Sequence, residues 1–341
     1  MKNKTKIQRD DVIIRKGICH ILDRHSGYLG LSTELLDMGP DLMEFVRGHI
    51  FKILESDDAK KCELNGSRSQ VLSLLEAMDE KDDDSFIEAS RTIAENLFDI
   101  TCDSVLIPSA DLIVVSFQLE SVVHLALLKM NYKETYVHRE SENEGNNIVN
   151  QRVIPTGNTR LTEAIIIDLL EYKVQLVEKK YEMLSGDKVD YLSERFLKCH
   201  AQMAPKRKFQ LLNKVITDIS NKYPEGIQNR LDMKSKLREE FFEKQEFRAN
   251  EIGDKIFGSD PEKKQAFDEK VEQYDIQYDT FTVEKENTVR KLEYQMMETD
   301  TGIEIKIPME EYDTKDNIEI IEDAGGASTI IIKNVEQIRV N

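Results

Sequence analysis

Cysteine is scarce in this sequence. Cys19, Cys62, Cys102 and Cys199 are the whole complement, and none stands at the short paired spacing of a zinc site or a redox motif. All four are therefore expected to be reduced thiols. Long apolar runs are also missing: the densest, near residues 122–128, is too short to span a bilayer, and the basic N-terminus MKNKTKIQRDD runs into charge instead of an apolar segment. The expectation is a cytoplasmic protein with no membrane partner. Catalytic signatures are absent as well, with no Gly-x-Ser-x-Gly elbow, no P-loop and no Gly-x-Gly-x-x-Gly. The histidines, His20, His25, His49, His124, His138 and His200, show no helical pairing around a carboxylate, so neither a metal nor a cofactor is expected. His49 falls on an apolar helical stripe and His124 within an apolar strand, which makes both core histidines with satisfied rings.

What the chain does have is acid. Its 65 Asp and Glu against 47 Lys and Arg give a net charge of -18. Such a balance opposes indiscriminate adhesion to nucleic acid or to anionic membrane, so any contact with DNA must be regional. One region reverses the sign. Residues 206–238 hold nine basic side chains, Lys206, Arg207, Lys208, Lys214, Lys222, Arg230, Lys234, Lys236 and Arg238, against Asp218, Glu225 and Asp232. Closely placed cations suit a phosphate backbone because they release its counterions, while the plainer reading is a pair of solvated helix faces.

Periodicity predicts an α+β fold: an N-terminal domain with a mixed antiparallel sheet (1–200), a central helical region (201–292) and a small C-terminal β element (293–341). Residues 11–23 read as a strand. Helices follow from Pro40, from Val71 to Met78, and from Phe86 to Ile100, with the acidic DEKDDD as a link. After Pro108 a meander of three strands is expected, then a polar excursion, SENEGNNIVN, and a central strand in AIIIDLL at 164–170. From Lys206 the spacing of Phe209, Leu212, Ile216, Ile219 and Tyr223 predicts a helix ended by Pro224 and Gly226. A second helix is expected from about Arg230, and a third with Ser259 and Glu262 in a capping box. In the tail, alternation through Ile303, Ile305, Ile307, Ile318 and Ile320 predicts strands, with Gly325 and Gly326 making a hairpin turn.

One constellation imitates an enzyme. Asp168 followed by Glu171-Tyr172-Lys173 has the residue types of a Mg²⁺ nuclease. Asp168 and Glu171 are too close in sequence to come from neighbouring strands, and Glu304-Ile305-Lys306 repeats the pattern elsewhere. The nuclease is the weakest of three readings, and no catalytic residue is assigned.

Several segments resemble bacterial nucleoid-associated proteins of the NdpA-like family: VIIRKGICHILD at 12–23, DLIVVSFQ at 111–118, IDLLEYK at 167–173, DYLSERFLKC at 190–199 and the tail at 300–334. The similarity lies in order and character over nearly the whole chain. It implies a non-catalytic, nucleoid-localised protein that binds DNA without sequence specificity. Phosphate contact is then expected from Lys206, Arg207, Lys208, Lys214, Arg230, Lys234, Lys236 and Arg238. The charge of -18 departs from what a dense coating of DNA needs. Two routes reconcile the two: the basic face alone meets DNA, singly or doubled in a homodimer, or the acidic surface docks as an adaptor on basic DNA-handling proteins.

Overall fold

The structure, a computed structural model, describes residues 7–64, 69–139, 147–223, 226–284, 286–323 and 327–337. Two units divide the chain, Met1–Met203 and Ala204–Asn341. The first contains, in order, β1 (Val12–Asp23), β2 (Tyr28–Gly30), α1 (Pro40–Leu54), β3 (Lys60–Glu63), α2 (Gln70–Ala77), α3 (Asp83–Cys102), β4 (Ala110–Leu119) and β5 (Val122–Asn131). It continues through β6 (Lys133–Arg139), β7 (Asn147–Val153), β8 (Ala164–Asp168), β9 (Lys173–Val177), β10 (Lys180–Glu182), β11 (Lys188–Asp190) and a π-helix, Leu192–Leu197. Seven strands form one sheet in the order β2-β1-β4-β5-β8-β9-β3, every pairing antiparallel.

Helices cover both faces of that sheet. Val46, Ile50 and Ile53 of α1 meet Ile113, Val115 and Phe117 of β4 and Ala164 and Ile166 of β8. Phe86, Ile93 and Leu97 of α3 meet the alternate residues, Leu112 and Val114, with Ile165 and Ile167. A strand that serves two cores has no room for a polar face, which is why β8 reads AIIID. Strand β1 solves the same problem with a bulge: its register on β4 shifts between Ile14 and Lys16. Val12 and Ile14 thereby enter the α1 core, while Ile18 and Leu22 enter the α3 core. Full burial of such a side chain contributes roughly 1.5–3 kcal/mol. The two helices over the second face start on side-chain caps, Ser69 Oγ accepting from Leu72 N–H and Asp82 from Ser85 N–H, both at 3.3 Å.

Three expectations need correction in this unit. The third strand of the meander does not join the sheet. The free edge of β5 is taken by the wholly apolar β8, and β6, exposed on most of its length, pairs only with β7 in a separate ribbon. The polar excursion at 141–150 is strand from Asn147 onward, its earlier part lying outside the described residues. The four reduced thiols are two, because Cys62 and Cys199 form a disulfide with Cα atoms 6.4 Å apart, leaving Cys19 and Cys102 free. The segment after the π-helix returns to β3, with Lys61 bridged to Gln202, and that return joins cysteines 137 positions apart.

The second unit holds α4 (Pro205–Lys222), α5 (Ile227–Lys244), β12 (Phe247–Arg248), α6 (Ala249–Phe257), α7 (Pro261–Gln273), β13 (Thr280–Phe281) and α8 (Glu286–Glu293). Then come the hairpin of β14 (Tyr294–Glu298) and β15 (Glu304–Pro308), α9 (Met309–Thr314), and the hairpin of β16 (Ile318–Glu322) and β17 (Ser328–Ile332). Phe247 centres an aromatic core, its ring 5.0–5.4 Å from those of Phe209, Phe241 and Phe281. Leu231 of α5 packs with Ile307, Met309, Tyr312 and Ile320 from the C-terminal elements. Helix α5 starts at Ile227, ahead of the expected Arg230, and α7 is capped by Asp260, which accepts from Lys263 N–H at 3.2 Å, and not by Ser259. Pro261 at the first helical position fixes the start there. Pro224 and the Gly325–Gly326 turn lie outside the described residues.

Candidate nucleic-acid interface

The expected cations sit on α4 and α5, and their environments differ. On α4 the buried face is Phe209, Leu212, Val215 and Ile219. Arg207 and Lys214, seven positions and two turns apart, lie on one exposed side, with the Lys214 ammonium 6.0 Å from the Tyr274 ring centroid. Lys206 beside them is half-buried. Lys208 turns inward: it is 7% exposed, and its ammonium lies 2.8 Å from the Asp279 carboxylate. That cation is neutralised within the protein.

On α5, Arg230, Lys234 and Arg238 recur every four residues along one side, and Lys236 projects from another. Arg230 is exposed. Arg238 is engaged twice, by Asp313 at 2.6 Å and by the Phe242 ring at 5.0 Å. The Lys234 ammonium donates to Tyr294 O at 2.6 Å and to Gln295 Oε1 at 3.0 Å. Among the described residues no carboxylate pairs with Lys234, and burial pulls it down to about 8. Lys236 borders a cavity of about 600 Å³ that Asp232, Asp260 and Asp313 also line. The eight residues thus differ in environment: Arg207, Lys214 and Arg230 are exposed with no ion pair among the described residues, whereas Lys208 and Arg238 are held by carboxylates.

Residues further along the chain complete a different cluster. Arg290 and Lys291 of α8 and Lys306 of β15 join Lys234 around an open cleft of about 660 Å³, and no carboxylate is among its described lining residues. Those three fall outside the basic stretch, so charge counting along the sequence passes over them. The pairing of β14 with β15, which sets Lys306 opposite Met296, brings Lys306 into this cluster, while α8 supplies Arg290 and Lys291.

The nuclease-like residues are occupied otherwise. Asp168 Oδ1 accepts from the Leu170 and Glu171 amides at 2.7 and 3.0 Å, closing the turn after β8, and Lys173 pairs with Glu171. A cavity of about 640 Å³ does gather Asp168, His124 and His200, but no group of three His, Cys, Asp or Glu among the described residues is arranged to hold a metal ion. His124 stacks on Phe117 at 5.1 Å, and one of its ring nitrogens is 3.1 Å from Val122 O, so the ring has a partner although the residue is half-buried and not in the core. His49 is buried, but neither of its ring nitrogens has a hydrogen-bond partner, which corrects the expectation of a satisfied ring. Among the described residues no helix is long and apolar enough to cross a membrane.

A seven-stranded antiparallel sheet clad on both faces by helices is followed in the chain by a mainly helical unit with clustered cations. The chain belongs to a family of nucleoid-associated proteins: the NA37 family, described as nucleoid-associated protein YejK, matches residues 18–339. Comparison with curated proteins finds no match.

Proposed function

We propose that this protein is a non-catalytic DNA-binding component of the bacterial nucleoid, gripping the phosphate backbone without reading sequence. Family membership over nearly the whole chain carries the reading, and the local excess of cations on a chain of -18 gives it a physical basis. Arg207, Lys214 and Arg230 are assigned to phosphate, with Lys206 and Lys236 flanking them. Lys208 and Arg238 are left out because their carboxylate partners already satisfy them. Backbone contacts of this kind position a protein on DNA and carry no base information.

The test is a mobility shift with the triple variant Arg207→Glu, Lys214→Glu, Arg230→Glu. Binding should weaken by a similar factor on unrelated duplexes. Unchanged affinity would remove these residues from the interface. Wild-type protein with Mg²⁺ or Mn²⁺ should leave the DNA intact, and cleavage abolished by Glu171→Ala would return the nuclease.

A second reading rests on the acidic remainder of the surface. With 65 acidic residues, the protein is suited to dock on basic DNA-handling proteins and to reach DNA through them. Capture of such a partner that survives nuclease treatment, together with no direct shift, would favour it.

A further inference from the structure

Several lysines of the second unit are matched to carboxylates. Lys244 pairs with Glu240 and Glu251, Lys255 with Glu239 and Glu240, and Lys264 with Asp254 and Asp268. The cleft between α8 and the β14–β15 hairpin gathers cations with no carboxylate among its described lining residues. Lys234, Lys291 and Lys306 converge there with Arg290, and among the described residues none of the three lysines makes an ion pair. Like charges drawn together repel one another, and in a chain so rich in acid a neutral or paired arrangement is the easier one to build. The three lysines are thus placed to receive an anion from outside.

The geometry indicates which anion. Lys234 spends two of its three N–H donors on Tyr294 O and Gln295 Oε1, so its ammonium is held in place with one donor left. The pull on its proton noted above fits a half-buried cation short of negative charge. Lys306 lies 3.9 Å from the centroid of the Tyr294 ring, which steers its ammonium over the same wall of the cleft. Tyr294 and Met296 occupy alternate positions on β14 and share the hairpin's outer face with Lys306, 36% and 54% exposed. Fixed cations beside an exposed ring and a thioether suit a phosphate with a flat organic group attached to it. Duplex DNA hides its bases, whereas a single strand offers phosphate and base together.

We propose that this cleft is a phosphate-binding site that takes the backbone of single-stranded nucleic acid, separate from the duplex contacts assigned to Arg207, Lys214 and Arg230. Its choice of occupant rests on the nucleic-acid reading above, but the phosphate chemistry does not. The experiment uses the full chain with three probes: inorganic tripolyphosphate, a labelled single-stranded oligonucleotide and the same sequence as a duplex. Two variants carry the same change in net charge, Lys291→Glu with Lys306→Glu, and Arg207→Glu with Lys214→Glu. Circular dichroism establishes that each is folded, and the single Lys306→Gln serves if the double variant is not.

The cleft variant should lose at least about tenfold in affinity for tripolyphosphate and for the single strand, since each charge-assisted contact is worth about a factor of ten. The α4 variant should keep both and lose duplex. Tripolyphosphate binding lost in the cleft variant alone, with no nucleic acid bound by wild type, would keep the site and discard the nucleic-acid function. Wild type that ignores tripolyphosphate and the single strand, or cleft and α4 variants that weaken equally, would overturn the site while leaving the duplex interface to its own test.

Discussion

The most demanding feature of the first unit is an ion pair sealed in its core. Lys129 of β5 is 2% exposed and Glu163, just before β8, is 0% exposed. All three ammonium donors are used, on Glu163 Oε2 at 3.2 Å, Pro108 O at 3.1 Å and Asn131 Oδ1 at 2.6 Å. Glu163 also accepts from Tyr191 at 2.6 Å, from Tyr181 at 3.4 Å and from the Asn131 amide. Desolvation pushes Lys129 below its usual range and the Glu163 charge pulls it back up. Removal of one partner strands a charge in the core, so Lys129→Met should cost about 3–5 kcal/mol, and Glu163→Gln a similar amount. In the double variant no charge remains, and the loss should fall well short of the sum, a coupling of at least about 2 kcal/mol. The chain has no tryptophan, so unfolding in urea is best followed by circular dichroism, with hydrogen exchange at β5 and β8 reporting the unit concerned. Single variants that each cost under about 1 kcal/mol, or costs that simply add, would refute the argument that the pair acts as one buried element.

Acid should weaken the same unit. Burial lowers His20 and His49 to about 4, and His20 Nδ1 accepts from Ser32 N–H, a bond that protonation would break. The unfolded chain then holds more protons between about pH 6.5 and 4, so stability falls as pH drops through that window, by about 3 kcal/mol per histidine. A urea midpoint that is flat from pH 7 to 4 would contradict this. Thiol titration of the unreduced protein should find Cys102 fast and Cys19 slow, its thiol raised to about 12 by burial, with Cys62 and Cys199 reacting only after reduction. Four thiols titrating without reductant would restore the expectation from the sequence. Lys208→Met should leave DNA affinity unchanged and lower stability, because it strands Asp279, and weaker binding at full stability would return Lys208 to the interface.

Amphipathic periodicity made α1 and α3 legible, since each buries one stripe against one face of a sheet. Unbroken apolar composition likewise betrayed β8. The bulge at Arg15 and the departure of β6 from the sheet were not legible, because each depends on strand pairing, whereas the short helix α6 was passed over although Ala249, Ile252 and Ile256 recur at helical spacing. The disulfide was hidden for the same reason, as no spacing rule links Cys62 to Cys199. At the candidate site, the sequence located cations but not their partners. Lys208 and Arg238 look like Arg207 and Arg230 in one dimension, and only folding supplies Asp279 and Asp313. Lys291 and Lys306 lie far along the chain from Lys234, and it takes the packing of α8 and the pairing of β14 with β15 to gather them.

The slope of duplex affinity against salt tests the central claim most directly, since each neutralised phosphate contributes about -0.9 to it. Contacts from Arg207, Lys214 and Arg230 predict a log–log slope of about -3, a loss on the order of fortyfold between 50 and 200 mM salt, and all eight expected cations would give about -7. A slope indistinguishable from zero would show that no part of this acidic chain holds DNA through its phosphates.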